Sequence, residues 1–452
     1  MKDTVIVGGG ITGLAAAYYL AKAGAGATLI ERQPRLGGVV RTEVVERCVI
    51  ECGPDSFLAA KPAAMELIRE LGLADEVIGS NDHQRVTYIK RGGRLVPMPD
   101  GLMMMVPTRV LPVALSPLLG WGSKMKMGLE FFRRAKPASH DRSVSEFVIG
   151  HYGREALDYV AEPLLSGVYG GDPNELSVAS VLPQFVELER NYGSLTRGVL
   201  ARKKAPGESG GALFRTLKRG LGHLTGTLEA RVQPKVEILH DEVAAVESGG
   251  GSYRLRLGGG WIAARKVILC CPAHLAGGLL KPVDGLLAET LSAVKYNSSI
   301  TLALVYRKSE IRHPLNGFGF LIPKVERRAL VACTWVGRKF DFRVPEDLVF
   351  LRCFLGDSSI GLSDEVMLDA VRAELRELMG VDAEPLFHRI HRWPKSMAQY
   401  TVGHSKRLAV IRERLQHLPG LYLAGNGYEG IGIPDCIRTG RKAAEAAIAQ
   451  KV

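Results

Sequence analysis

The chain has 452 residues, too many for one ordinary core, so two or three structural units are expected. Apolar residues make up 46% and charged residues 23%, which excludes a disordered or fibrous chain and fits a globular protein. The net charge of +12 is spread along the chain with no basic tail. That argues against a nucleic-acid module and leaves nonspecific surface charge or attraction of an anionic substrate.

An apolar strand at residues 4–7 runs into Gly8-Gly9-Gly10-Ile11-Thr12-Gly13 and then a small-residue helix over 14–20. Strand, glycine turn and helix form a dinucleotide-binding opening. Gly8 permits the tight turn, Gly10 lets backbone approach a pyrophosphate, and Gly13 lets the helix pack on the strand. The helix N-terminus adds free N–H groups and a favourable dipole. A second strand, Ala27–Glu31, ends eighteen residues beyond Gly13 in an acidic side chain suited to ribose hydroxyls. Arg32 follows it, and Gly37-Gly38 brings backbone near the cofactor a second time, which favours FAD over NAD. This opening so near the first residue leaves no room for a signal peptide.

Residues 60–210 read as irregular helices. Expected are a short amphipathic helix over 63–71, a hairpin of 88–89 with 95–96, and helices over 122–134, 144–149 and 153–165. The apolar stretch 102–121 is broken by Pro107, Pro112 and Pro117, so it reads as a pocket wall or as a patch resting on a membrane, not as a span. Residues 203–211 form a Gly, Pro and charge-rich boundary. The α/β pattern returns over 212–278, with a helix at 225–232 and strands at 236–239, 243–246, 253–257 and 266–271. Strands at 299–306, 318–322, 330–334 and 349–354 and a helix over 363–379 suggest an α+β unit. A strand at 421–424 leads into a glycine-rich loop, Gly425 to Pro434, and a last helix from about Asp435, with Pro434 suited to a helical first turn. Seven cysteines form no CxxC pair, so buried thiols in a reducing cytoplasm are expected. No metal-ligand spacing is found, and His388 and His391 have no acidic residue at ligand spacing.

These motifs resemble those of the protoporphyrinogen/coproporphyrinogen oxidases, flavoenzymes of haem synthesis in the amine-oxidase-like superfamily. The likeness covers essentially the whole chain. Residues 8–17 match the family's nucleotide motif, and Gly53-Pro54-Asp55-Ser56-Phe57 the segment after its flavin-contacting region. Glu162-Pro163-Leu164-Leu165-Ser166-Gly167-Val168-Tyr169-Gly170-Gly171-Asp172 is typical of this family and is not a general flavin motif. The closing loop carries Gly425-Asn426 where the superfamily often has Gly-Asp. The resemblance implies that Gly432, Ile433 and Pro434 sit near the isoalloxazine, that the Val243 backbone meets the adenine, and that Trp393 lies near the flavin.

The implied architecture is a discontinuous α/β FAD-binding Rossmann-like domain (1–57, 211–278, 391–452), a mostly helical insertion (58–210) and an α+β substrate domain (279–390). The pattern resembles the Gram-positive branch, which implies oxygen-dependent oxidation of coproporphyrinogen III to coproporphyrin III, with hydride passing to flavin N5 and no catalytic side chain assigned. Protoporphyrinogen IX oxidation, an FAD amine oxidase or polyene desaturase, and a non-catalytic flavin or tetrapyrrole scaffold stand as alternatives. Substrate propionates need cations, for which Lys61, Arg85, Arg91 and Arg94 are candidates, Arg85 by alignment with a family arginine. Asn316 and Phe318 are candidates for the cavity wall. Dioxygen is the implied oxidant, a ferrochelatase-type enzyme is a partner implied only by pathway, and a cytoplasmic location with peripheral membrane contact is the implied setting.

Overall fold

A computed structural model describes residues 1–135, 140–202 and 211–450. The boundary expected at 203–211 falls almost wholly outside the described residues.

The first of two large sheets runs in the order Glu237–His240, Ala27–Glu31, Lys2–Val7, Gly260–Leu269, Ser252–Leu257, Ala245–Gly249, with Leu421–Leu423 also on Gly260–Leu269. The long strand Gly260–Leu269 pairs with Lys2–Val7 along one edge and serves two partners along the other. Its start pairs antiparallel with Ser252–Leu257, and its end pairs parallel with Leu421–Leu423. Burial on both faces explains the unbroken apolar runs. Ile6, Leu29 and Ile268 face a layer holding the helices Ile11–Lys22, Gly222–Val232 and Ile433–Ala449. Val5, Val7, Val267 and Leu269 face the opposite core with Ala273, Leu287 and Ile411.

The second sheet runs Phe387–Gln399, Lys295–Arg307, Leu348–Leu355, Leu330–Trp335, Gly319–Leu321, Thr87–Arg91, Arg94–Pro97. The hairpin read at 88–96 is therefore its edge, turning through Gly92 and Gly93 at φ 57° and 75°. Helix Asp364–Met379 covers one face through Met367, Val371 and Leu375. It starts at the N-cap Ser363 and stops at Gly380 with φ 64°. Strand Phe387–Gln399 and helix His404–Gln416 were not anticipated. Pro394 cannot donate to a ladder, but Phe387–Gln399 is the edge opposite a register shift at Asn297/Ser299, where a missing N–H is tolerated.

Between residues 110 and 201 the described chain is mainly helical around Phe147, Val148, Tyr152, Val160 and Leu188. The helix expected over 153–165 is present but not uniform: Arg154–Ala156, a wide π turn at Leu157–Ala161, and Glu162–Tyr169 follow one another without a gap. Pro163 has no N–H to return to the preceding turn, and the ladder widens there.

Candidate functional site

The carboxyl ends of the first sheet's parallel strands meet at one edge, where such sheets bind ligands. Gly8 leaves the strand at φ 103° and donates its N–H to the Ile30 carbonyl at 2.8 Å. A Cβ on Gly13 would lie 1.9 Å from the Gly8 carbonyl oxygen, so only glycine lets this helix seat on this turn. Gly10 is the N-cap of Ile11–Lys22 and offers no capping side chain, which leaves first-turn amides at Ile11, Thr12 and Gly13 open to an anion. A Cβ on Gly10 would meet nothing within 4 Å. That combination of open space and uncapped amides fits a dinucleotide pyrophosphate.

The second glycine pair is built against the first. Gly37 N–H donates to the Gly9 carbonyl at 2.8 Å, and a Cβ on Gly38 would stand 3.1 Å from the Gly10 Cα. Arg35 fastens the pair by donating to the Gly38 carbonyl at 2.6 Å. Glu31 is turned onto the same turn, accepting from Gly9 N–H at 2.6 Å and Gln33 N–H at 2.8 Å. Arg32 points away to an exposed pair with Glu242 at 3.7 Å. Val243 is buried, 8% exposed, just before strand Ala245–Gly249.

The segment from Gly53 to Ser56 packs between the loop at Val39 and the second sheet. A Cβ on Gly53 would lie 2.0 Å from the Val39 carbonyl oxygen. The Cys52 carbonyl accepts from Trp393 Nε1 at 2.7 Å and from Thr301 Oγ1 at 2.6 Å. After half-buried Pro54, Asp55 accepts from Ser56 at 2.6 Å and pairs with Lys339 at 2.9 Å and Arg352 at 3.3 Å. Burial alone would raise its carboxyl, but the two cations override it and hold it well below the usual carboxylate range. Arg352 also donates to the Gly53 carbonyl.

The closing loop is pinned by hydrogen bonds that sequence gave no sign of. Gly425, at φ 133°, donates to Thr439 Oγ1 at 3.2 Å. Asn426 accepts from Tyr296 at 3.3 Å through its side chain and from Tyr400 at 2.7 Å through its carbonyl, and its amide donates to the Ser396 carbonyl at 2.9 Å. An amide, with both donor and acceptor, suits these neighbours where a carboxylate would face the Ser396 carbonyl without a proton. Gly432, Ile433 and Pro434 open the last helix, with Asp435 closing its first turn at 3.3 Å from Gly432 N–H. Burial raises the thiols of Cys271 to about 12 and Cys436 to about 11, so both are protonated at neutral pH.

The candidate substrate residues are not gathered alike. Lys61 donates to Asp435 at 2.5 Å beside the closing loop, while its side chain stays 45% exposed. Arg85 is half exposed, with Asp82 at 3.9 Å. It adjoins the strand start where Phe318 N–H donates to the Val86 carbonyl at 2.8 Å, and Phe318 is buried. Asn316 contributes its carbonyl to the Tyr88 hydroxyl at 2.9 Å. Arg91 is held by Glu155 at 2.6 Å, by the Leu118 carbonyl and by the Tyr159 ring at 4.6 Å. Arg94, opposite it in register, faces solvent.

His391 has an acidic partner after all: its Nε2 lies 3.2 Å from Glu43, and Cys52 brings a third ligand-type atom within 4.8 Å. Glu43 is already paired with Arg41 at 2.7 Å, an arrangement that a hydrogen-bond hub explains without a cation.

The family model for flavin containing amine oxidoreductase matches residues 11–448. The chain belongs to this family. Among flavin-containing amine oxidoreductases it is similar to coproporphyrinogen III oxidase of Bacillus subtilis (strain 168), with 34% identity, covering 99% of this chain and 98% of that protein. Coproporphyrinogen III oxidase of Propionibacterium freudenreichii is 32% identical, covering 98% of this chain and 90% of that protein. A crystal structure from Exiguobacterium sp. 255-15, provisionally described as a protoporphyrinogen oxidase, has a TM-score of 0.89 and 32% identity, with 99% of each chain covered. The chain is thus an oxidoreductase of this family, closely related to the bacterial coproporphyrinogen and protoporphyrinogen oxidases.

Proposed function

We propose that the chain binds FAD and oxidises coproporphyrinogen III to coproporphyrin III in haem biosynthesis, consuming three dioxygen and releasing three hydrogen peroxide. The observation that carries this is end-to-end identity of 34% with the Bacillus subtilis enzyme. The cradle of Gly8, Gly10 and the open helix N-terminus supports the cofactor. When bound, the flavin supplies a two-electron acceptor for hydrogens leaving the substrate.

The residues divide the work by chemistry. Gly8, Gly10, Ile11, Thr12 and Gly13 would hold the pyrophosphate, and Gly37 and Gly38 would keep its approach free of side chains. Glu31 would exchange a backbone N–H for ribose hydroxyls, with Val243 against the adenine. Gly53, Pro54, Asp55, Ser56, Trp393, Asn426 and the turn Gly432, Ile433, Pro434 would flank the redox ring. Tyr296 and Tyr400, with phenols raised by burial, stay protonated and keep Asn426 in place. Lys61, though paired with Asp435, and Arg85 keep side chains 45% and 48% exposed for substrate carboxylates, whereas Arg91, paired with Glu155, is only 28% exposed. The corresponding organisation is a flavin unit from 1–57, 211–278 and 391–452, a substrate unit from 279–390 and an insertion from 58–210.

Anaerobic mixing of the FAD-loaded protein with coproporphyrinogen III and, separately, protoporphyrinogen IX tests the reading by flavin bleaching. Faster bleaching by the first, followed in air by porphyrin fluorescence and peroxide, is expected. Preference for protoporphyrinogen IX overturns the substrate assignment, and absence of bleaching by either overturns the oxidase. Arg85→Ala and Lys61→Ala are expected to raise KM for coproporphyrinogen III about tenfold each, the scale of a lost charge-assisted contact. Unchanged KM removes them from the substrate site.

A further inference from the structure

A small cavity is lined by strand Cys48–Glu51, by Asp55, and by the second-sheet strands Leu330–Trp335 and Leu348–Leu355 with the connection between them. Its open space is about 10 Å³, room for one water-sized particle. Phe340 and Phe350 give it apolar walls, yet five ionised side chains also line it. Three are cations, Lys339, Arg343 and Arg352, and two are carboxylates, Glu51 and Asp55, an excess of one positive charge. Arg343 and Arg352 are only 2% and 3% exposed, so bulk water does little to offset that excess.

The carboxylates are engaged on both oxygens, and the cations keep donors to spare. Glu51 accepts from Leu221 N–H and Thr42 and pairs with Arg343. Asp55 accepts from Ser56 on one oxygen and holds Lys339 and Arg352 on the other. Arg343 spends Nη2 on Thr216 and Glu51, and Arg352 spends Nη1 on Asp55 and Nη2 on the Gly53 carbonyl. Arg343 Nη1 and Arg352 Nε are buried and find no partner among the described residues. Burial keeps the Arg343 guanidinium below its ordinary value even against the charges of Glu51 and Asp55, so these carboxylates do not fully compensate it. A water would bring two protons into a site whose spare groups are donors, whereas an anion only accepts. We propose that this cavity binds one halide-sized monovalent anion, such as chloride, on Arg343 Nη1 and Arg352 Nε. Phosphate and the carboxylates of a substrate are too large for the space. Arg352 also holds Asp55 and the Gly53 carbonyl, so the anion braces that segment against the second sheet.

The site does not depend on the substrate, and its test reads anion binding alone. Crystals of the full-length protein soaked in sodium bromide should show a bromide anomalous peak within hydrogen-bond reach of Arg343 and Arg352. In solution, with ionic strength held by sodium gluconate, the urea midpoint should rise with chloride concentration, because a ligand of the folded state alone stabilises it by mass action. Arg343→Met should abolish both the peak and the chloride dependence. Glu51→Gln removes one of the two carboxylates and should lower the half-saturating chloride concentration about tenfold, a shift that a general salt effect would not give. Absence of the bromide peak, or a midpoint indifferent to replacing gluconate by chloride, overturns the proposal and leaves the space to water. So does an Arg343→Met protein that keeps both signals, or a chloride affinity that Glu51→Gln leaves unchanged or weaker. If Arg343→Met does not fold, the parent's bromide peak and the Glu51→Gln shift decide.

Discussion

Glu31 shows how one side chain is positioned by sequence and given its partners by the fold. A carboxylate at the end of the second strand is readable as a ribose acceptor. Its contacts with Gly9 and Gln33 N–H exist only because the glycine turn arches back over that strand. Hydrogen bonds to a charged acceptor contribute about 1.5–3 kcal/mol each. Glu31→Ala should therefore raise the FAD Kd at least tenfold in a flavin-fluorescence titration, and an unchanged Kd would remove Glu31 from the cofactor site. Lys61 illustrates the opposite case. Its helix was legible, but Asp435 is 374 positions away in the chain, and no local pattern announces that ion pair.

At the scale of elements, close approach between helices matters as much as apolar periodicity. A Cβ on Gly440 would lie 2.3 Å from the Thr12 carbonyl oxygen, so the last helix touches the first backbone to backbone. Gly440→Val should force them apart at a cost of about 1–3 kcal/mol, lowering Tm and weakening flavin retention together. If Tm falls with retention intact, the closing loop does not depend on that packing. The helical region rests on a different device. His151 bridges Glu130 at 2.8 Å and Glu189 at 3.0 Å, and Arg142 also binds Glu189. Burial would raise the Glu189 carboxyl, but hydrogen bonds from His151 and Arg142 hold it at about 2, against an ordinary 4.5. A depressed carboxyl contributes stability that is complete above its unfolded value and disappears as pH falls through the folded one. The urea midpoint should therefore drop between about pH 5 and pH 2, and Glu189→Gln should flatten part of that drop.

Across the whole molecule, segments far apart in the chain are joined through buried charge. Arg343 lies 3.2 Å from Glu51 and donates to Thr216 at 2.6 Å, while Glu51 accepts from Thr42 at 2.7 Å and Leu221 N–H at 2.8 Å. Burial raises the Glu51 carboxyl and lowers the Arg343 guanidinium, each opposed by the other's charge. Arg343→Met leaves an unpaired buried carboxylate and should reduce the unfolding free energy by about 3–5 kcal/mol in denaturant titration. Adding Glu51→Gln should restore part of it. No recovery would mean that Arg343 acts by packing alone.

The sequence by itself determined the parts whose geometry is local. The glycine turn, the acidic end of the second strand, the Gly92-Gly93 hairpin and the capped helix Asp364–Met379 each follow from backbone freedom, strand alternation or helix ends. Tertiary structure decided which strands became neighbours, and so which groups meet. Strand Phe387–Gln399 is tolerated with Pro394 because it became an edge, and the 153–165 helix widens into a π turn ahead of Pro163. Asp55 met Lys339 and Arg352, Asn426 met two tyrosines, and Arg91 was drawn off to Glu155. Contacts between residues hundreds of positions apart depend on sheet order and layer packing, which no window of sequence encodes.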